Sequence, residues 1–130
     1  LSFVGLRNLG ATCYMNAILQ QMYCCEPLRR CIMGLDQAST PFMEELQKLF
    51  TYLEFSERAD FEPIEFFKHV LMGGVPAPTN VQQDAHEFLN FFFNQLELAF
   101  AKTPVMRLIK QIYCGTFASQ IICQGCSDIK

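Results

Sequence analysis

The apolar residues Ala85, Phe88, Leu89, Phe92, Leu96, Ala99 and Phe100 recur at helical spacings across the longest unbroken pattern in the chain. Only an α-helix gathers such positions onto one side, and a side this rich in Phe must be covered by other elements. Asn80 with Gln83 three residues on reads as a capping box that opens this helix, and Lys102 to Pro104 close it. Shorter helical patterns precede it. Tyr14, Ile18, Met22 and Cys25 mark one from about Thr12. Pro27 opens a second that runs through Cys31, and Gly34 to Thr40 form a loop. Phe42, Leu46, Leu49, Phe50 and Leu53 mark a third from Pro41. Glu62-Pro63 begins a fourth through Ile64, Phe67 and Leu71, which Gly73-Gly74 stops before the stiff Val75–Thr79 turn. From Leu108 to Ile122 the helical period gives way to Ile, Tyr, Thr and Phe, predicting two or more strands interrupted at Gly115.

A length of 130 residues suits one core. Hydrophobic residues make up 51% and charged residues 18%, which excludes a disordered tail. A net charge of −3 with no basic run argues against nucleic acid as the main partner. No apolar stretch approaches the roughly 20 residues of a membrane span, and no signal peptide opens the chain. The start without Met and the stop just after a Cys pair read as an excerpt of a larger polypeptide. Charge is concentrated in residues 36–65, where eight acidic and two basic side chains predict the solvated face of one or two helices. Seven cysteines, an odd number among thirteen Phe and six Met, fit a reducing, intracellular compartment better than a disulfide scaffold. Cys24, Cys25 and Cys31 read as small buried hydrophobes, and Cys114 as core.

Cys13 is different. It follows the Gly-containing loop Gly5–Thr12 and opens a helix, where unpaired N–H groups and the helix dipole favour thiolate over thiol. Asn8, five residues upstream, is near enough to donate its amide to an oxyanion formed when the sulfur attacks a carbonyl. Gly10 lets the backbone approach a substrate closely. On chemistry alone a buried Cys starting an ordinary helix remains the alternative.

The run Gly-Leu-Arg-Asn-Leu-Gly-Ala-Thr-Cys-Tyr-Met-Asn-Ala-Ile-Leu-Gln, residues 5–20, resembles the cysteine box of the ubiquitin-specific proteases. Some seventy residues on, Gln83-Asp84-Ala85-His86-Glu87-Phe88 is similar to that family's acidic signature. The resemblance implies an α+β, papain-like deubiquitinase, with residues 1–105 as the helical thumb and 106–130 as the first strands of a fingers subdomain. It implies Cys13 as nucleophile, Asn8 as oxyanion donor, and Gln83 and Asp84 near the arginine-bearing ubiquitin tail, where a carboxylate can pair with guanidinium. Ubiquitin and ubiquitinated proteins are the implied partners, and the cleaved bond is the isopeptide after ubiquitin's C-terminal Gly.

A papain-like thiol also needs an imidazole and a group to orient it. Only His69 and His86 are present, and neither fits: one follows Phe66-Phe67-Lys68, the other lies inside the thumb motif. In similar proteases the His and its Asp or Asn partner come from a later palm segment, so this chain read alone holds half a catalytic site and is expected to be inactive. Cys123-Gln124-Gly125-Cys126 is a C-x-x-C that suits two of the four thiolates of a tetrahedral zinc site, and the resemblance adds a second pair beyond Lys130. A ubiquitin-binding pseudo-enzyme and a zinc-ribbon interaction module stay open as alternatives to the enzyme.

Overall fold

The computed structural model describes residues 4–36, 40–121 and 124–126. Helices dominate. In chain order they are α1 (Cys13–Cys24), α2 (Glu26–Met33), α3 (Pro41–Phe55), α4 (Ile64–Lys68), α5 (Ala85–Phe100) and α6 (Leu108–Tyr113). Two small strand pairs accompany them. β1 (Gly5–Leu6) runs parallel to β2 (Asp60–Phe61), with Gly5 opposite Asp60. β3 (Leu71–Met72) pairs antiparallel with β4 (Val75–Pro76). Among the described residues no helix is long and apolar enough to cross a membrane.

Phe42 on α3 stands at the centre of the core. Its ring lies 5.1 Å from Phe66 of α4, and 5.5 and 6.0 Å from Phe91 and Phe92 of α5. Edge-on and tilted aromatic contacts of this kind add about 0.5–1.5 kcal/mol each beyond the area they bury. In the α5 stripe Phe88, Phe92, Leu96 and Phe100 are fully buried, Leu89 and Ala99 flank them, and Ala85, at the helix start, is exposed instead. On α1 the buried face centres on Met15, Leu19 and Met22, with Ile18 at its flank. The third helix has the strongest local signals. Thr40 accepts a hydrogen bond from Met43 N, and Pro41 occupies the first turn.

The fourth helix is shorter than its pattern suggests. It ends at Lys68, and Leu71 belongs to a hairpin in which Gly73 and Gly74 adopt φ of 64° and 83°. Two consecutive positive φ values make the tight turn whose twist suits paired strands. The Gly pair is therefore a hairpin turn, not a helix stop. The start of α5 also moves. Asp84, not Asn80, is the N-cap, and its Oδ1 accepts the His86 N–H at 2.7 Å. Thr79 is held elsewhere, since its carbonyl accepts from Ala11 N at 2.6 Å.

The largest departure lies after residue 107. Leu108–Tyr113 is helix α6, where strands were expected. Ile109 is buried, and the Tyr113 ring packs 4.8 Å from Phe93 of α5. Residues 114–121 pair with no strand among the described residues, and Phe117 is 98% exposed. β-branched and aromatic composition marks residues that fit a pleated surface, but a strand forms only where a neighbour completes its ladder. The cysteine expectation is corrected as well. Cys24 and Cys114 are exposed, while Cys25 and Cys31 are half-buried. Helix periodicity decides these: Cys24 lies off the buried face of α1, and Cys114 follows the end of α6.

The acidic section is largely paired. Glu44 and Glu45 face Lys48, Glu54 faces Arg29, and Glu65 faces Lys68. Exposed pairs of this kind contribute little, about 0–1 kcal/mol each. Asp60 and Glu62 do something more specific, because both receive the Arg7 guanidinium beside Asn8.

Candidate active site

The loop between β1 and α1 is closed on itself by side chains. Asn8 Oδ1 accepts from Gly10 N at 3.2 Å, Thr12 N at 3.1 Å and the Thr12 hydroxyl at 3.0 Å. Thr12, fully buried, accepts in turn from Leu9 N at 3.1 Å. Backbone N–H groups can only donate, so the Asn8 atom facing them must be its oxygen. The Asn8 amide nitrogen is thereby turned away from the loop. It donates to no protein atom among the described residues, and Asn8 is exposed. The loop thus brings Asn8 against Thr12, the residue that precedes Cys13.

Cys13 is the first residue of α1, exposed and free. Thr12 occupies the N-cap, but its hydroxyl is committed to the loop and does not cap the helix. The first intrahelical bond is Asn16 N to Thr12 O at 3.0 Å. The N–H groups of Cys13, Tyr14 and Met15 thus find no protein acceptor among the described residues, and no acidic side chain lies in the first turn. Uncapped donors and the dipole together put partial positive charge beside the Cys13 sulfur.

Gly10 has φ of 126°, and a Cβ there would stand 2.8 Å from the Thr79 carbonyl oxygen. The close approach that requires glycine is therefore internal, between the cysteine loop and the segment leading into α5. The adjacent Ala11–Thr79 hydrogen bond fastens the two. The helix starts also meet: the Tyr14 ring lies 5.9 Å from Phe88, edge to face. Burial pushes the Tyr14 hydroxyl pKa up, and Glu87 and Cys13 push it the same way. Cys13 and the Gln83-Asp84 signature thus open two helices packed side by side. Asp84 is exposed, with one oxygen used as the cap, and Gln83 is half-buried with no hydrogen bond among the described residues.

Neither histidine hydrogen-bonds to Cys13. His69 is the C-cap of α4, where it adds slightly to the lowering of the Glu44 carboxyl pKa caused mainly by Lys48. His86 is the second residue of α5 and exposed. Of the C-x-x-C pair, Cys123 lies outside the described residues. Cys126 is an exposed free thiol in the turn Gln124–Cys126. Among the described residues no three His, Cys, Asp or Glu side chains gather as a metal site.

Sequence reasoning missed Thr12 and Asn16, which are buried, and the Arg7 clamp. One signal was available. Asn16 interrupts the apolar residues of α1 at a buried position, and Asn disfavours helix interiors unless its side chain has work there.

Residues 4–129 match the family model described as ubiquitin carboxyl-terminal hydrolase. Ubiquitin carboxyl-terminal hydrolase puf of Drosophila melanogaster is 32% identical over 132 residues, covering 98% of this chain and 3% of that protein. Human ubiquitin carboxyl-terminal hydrolase 24 is 33% identical over 128 residues, covering 95% and 5%. Ubiquitin carboxyl-terminal hydrolase 26 of Oryza sativa subsp. japonica is 36% identical over 128 residues, covering 94% and 11%. The chain thus spans only a small fraction of these relatives. With the cysteine loop, the paired helix starts and a match along nearly its whole length, the chain belongs to the ubiquitin carboxyl-terminal hydrolase family and has its papain-like, α+β fold.

Proposed function

We propose that this chain is the nucleophile-bearing part of a thiol-dependent deubiquitinase that hydrolyses the isopeptide bond after ubiquitin's C-terminal glycine. The observation that carries the reading is the loop at the start of α1. It carries an exposed thiol, three uncapped N–H groups and, hydrogen-bonded to the residue before that thiol, an Asn8 whose amide is turned outward.

Cys13 Sγ, as thiolate, attacks the glycyl carbonyl carbon, and the carbonyl π electrons move onto oxygen. That oxyanion receives the Asn8 Nδ2–H and the uncapped Cys13 N–H, donors already oriented before charge develops. Collapse breaks the C–N bond, the lysine amine leaves with a proton, and water hydrolyses the thioester. The imidazole that carries those protons comes from the larger share of the parent that this chain does not span. Asp84 keeps one carboxylate oxygen free for an arginine of the ubiquitin tail while the other caps α5, and Gln83 lies beside it with its amide uncommitted.

In this reading residues 1–105 form the thumb and 106–130 lead into the fingers. Zinc is the metal suited to Cys123 and Cys126, whose thiolates would supply two of four ligands and whose contribution is structural. The exposed Cys126 thiol in a tight turn supports that assignment. Exposed free thiols at Cys13, Cys24, Cys114 and Cys126 support a reducing intracellular setting, cytoplasm or nucleus.

The test is labelling of the full-length protein by ubiquitin bearing a C-terminal electrophile. A covalent adduct is expected, absent in Cys13→Ala, and Asn8→Ala should lower kcat about 10²–10³-fold. A folded full-length protein that forms no adduct refutes the enzyme and leaves a ubiquitin-binding pseudo-enzyme.

A further inference from the structure

Between the cysteine helix and the strand that leads to Asn8 there is one side-chain bridge among the described residues, and it is made by Asn16. Its Nδ2 donates to the Leu6 carbonyl at 3.4 Å and the Arg7 carbonyl at 3.2 Å. Leu6 and Arg7 are the two residues immediately before Asn8. Asn16 itself lies three residues after Cys13, one turn along the same side of α1. Its backbone N–H makes the first bond of that helix.

The other side of the same short segment is already fixed. Gly5 N and Arg7 N donate to Ala59 and Phe61 carbonyls, both at 2.8 Å, and the Arg7 guanidinium is held by Asp60 and Glu62. β1 is therefore anchored to β2 on one side and to the nucleophile's helix on the other. Asn16 is costly for stability. It is 8% exposed, its Oδ1 has no partner, and Asn is a poor interior helix residue. A Leu of similar size would bury more cheaply. The feature that only Asn supplies there is a donor of two hydrogen bonds aimed at the backbone that carries Asn8.

We infer that Asn16 is a positioning residue: it sets the distance between the Asn8 amide and the Cys13 sulfur, and so completes the oxyanion site without touching substrate. The inference rests on the nucleophile and oxyanion roles proposed above. A donor displaced by about 1 Å from the position where charge develops costs up to about 10²-fold in rate. Loss of Asn16 should therefore appear in kcat, with KM nearly unchanged, because Asn16 is buried and meets no substrate.

The experiment compares Asn16→Leu, Asn16→Asp, Asn8→Ala and the Asn8→Ala/Asn16→Leu pair in the full-length protein. Asn16→Leu is expected to fold, to lose about 10- to 100-fold in kcat on a ubiquitin–lysine isopeptide substrate, and to keep KM within about twofold. Alkylation of Cys13 by iodoacetamide, which passes through no oxyanion, should keep its rate. Asn16→Asp places a carboxylate against two carbonyls, and its kcat relative to the parent should recover as pH falls and the new carboxyl gains a proton to donate. In the Asn8→Ala background Asn16→Leu should cost no more than about twofold, since the group it positions is gone.

An equal kcat loss in both backgrounds overturns the inference, as does a loss that merely tracks a lower unfolding temperature. If Asn16→Leu does not fold, Asn16→Asp decides alone through its pH-dependent recovery. Failure of the underlying reading looks different: Cys13→Ala would leave isopeptide hydrolysis intact, or Asn8→Ala would leave kcat unchanged, with no Asn16 variant involved.

Discussion

Replacing Gly10 by Ala strikes the cysteine loop at its tightest point, and the cost follows from two independent terms. The first is backbone strain. At φ of 126° the residue lies outside every region comfortable for an L side chain, at about 1–3 kcal/mol. The second is a collision with backbone. The new methyl would stand 2.8 Å from the Thr79 carbonyl oxygen, and that oxygen is already held by Ala11 N at 2.6 Å. Moving it sacrifices that hydrogen bond, at about 1 kcal/mol. Together the terms predict a loss of about 2–4 kcal/mol, read as a lower melting temperature. Gly73→Ala is the internal control. Its φ of 64° is also positive, but nothing lies within 4 Å of the added Cβ, so only about 1–2 kcal/mol is expected. Scanning calorimetry of the full-length protein and its two variants measures the difference. Gly10→Ala should also lower turnover, because the displaced loop carries Asn8 and leads directly into Cys13. A Gly10→Ala protein no less stable than Gly73→Ala would refute the packing argument, and unaltered turnover would refute the link to the site.

Asp84→Ala should lose about 1 kcal/mol through its missing cap, whereas Asp84→Asn keeps the cap; if the free oxygen meets the ubiquitin tail, both raise KM, which steady-state kinetics would reveal. Tyr23 donates to Glu54 at 2.6 Å, and burial followed by that carboxylate pushes its phenol up to about 12. The folded state thus keeps a proton that the unfolded chain releases near pH 10, so stability should fall as pH rises from about 10 to about 12. Burial also raises Tyr14 and Tyr113, so Tyr23→Phe should flatten part of that decline in urea titrations, and an unchanged slope would contradict the assignment. Cys126→Ser should lower the zinc bound per full-length protein by elemental analysis, and unchanged metal content would remove this site from consideration.

Helices were legible where a local signal and a long-range need coincide. The apolar pattern from Pro41 and the Phe-rich stripe of α5 name their elements because periodicity agrees with what the core then buries. Where two local readings compete, neighbours decide. Gly73-Gly74 ends a helix equally well or turns a hairpin, and the partner strand Val75–Pro76 chose the second. Asn80 has the residue type of a cap, but Thr79 beside it is docked against the cysteine loop and the helix starts at Asp84 instead. Leu108–Tyr113 has a strand-like composition yet packs as a helix on α5, because Phe93 offers Tyr113 a ring face to cover.

For the candidate site, residue type around a helix start marked Cys13 and Asn8 as candidates for nucleophile and oxyanion donor, and the resemblance of residues 83–88 to the acidic signature added Asp84 as a candidate for the ubiquitin tail. Orientation was not marked there. That the Asn8 oxygen faces inward and its amide outward depends on Thr12 and Gly10, and the seat of the whole loop depends on Thr79, Asp60, Glu62 and Asn16. Residue identity supplies the chemistry a position can perform. Hydrogen bonds inside the loop supply the direction in which it points, and bonds to Asp60, Glu62 and Thr79, more than fifty residues away, seat that loop on the rest of the fold, which no local pattern encodes.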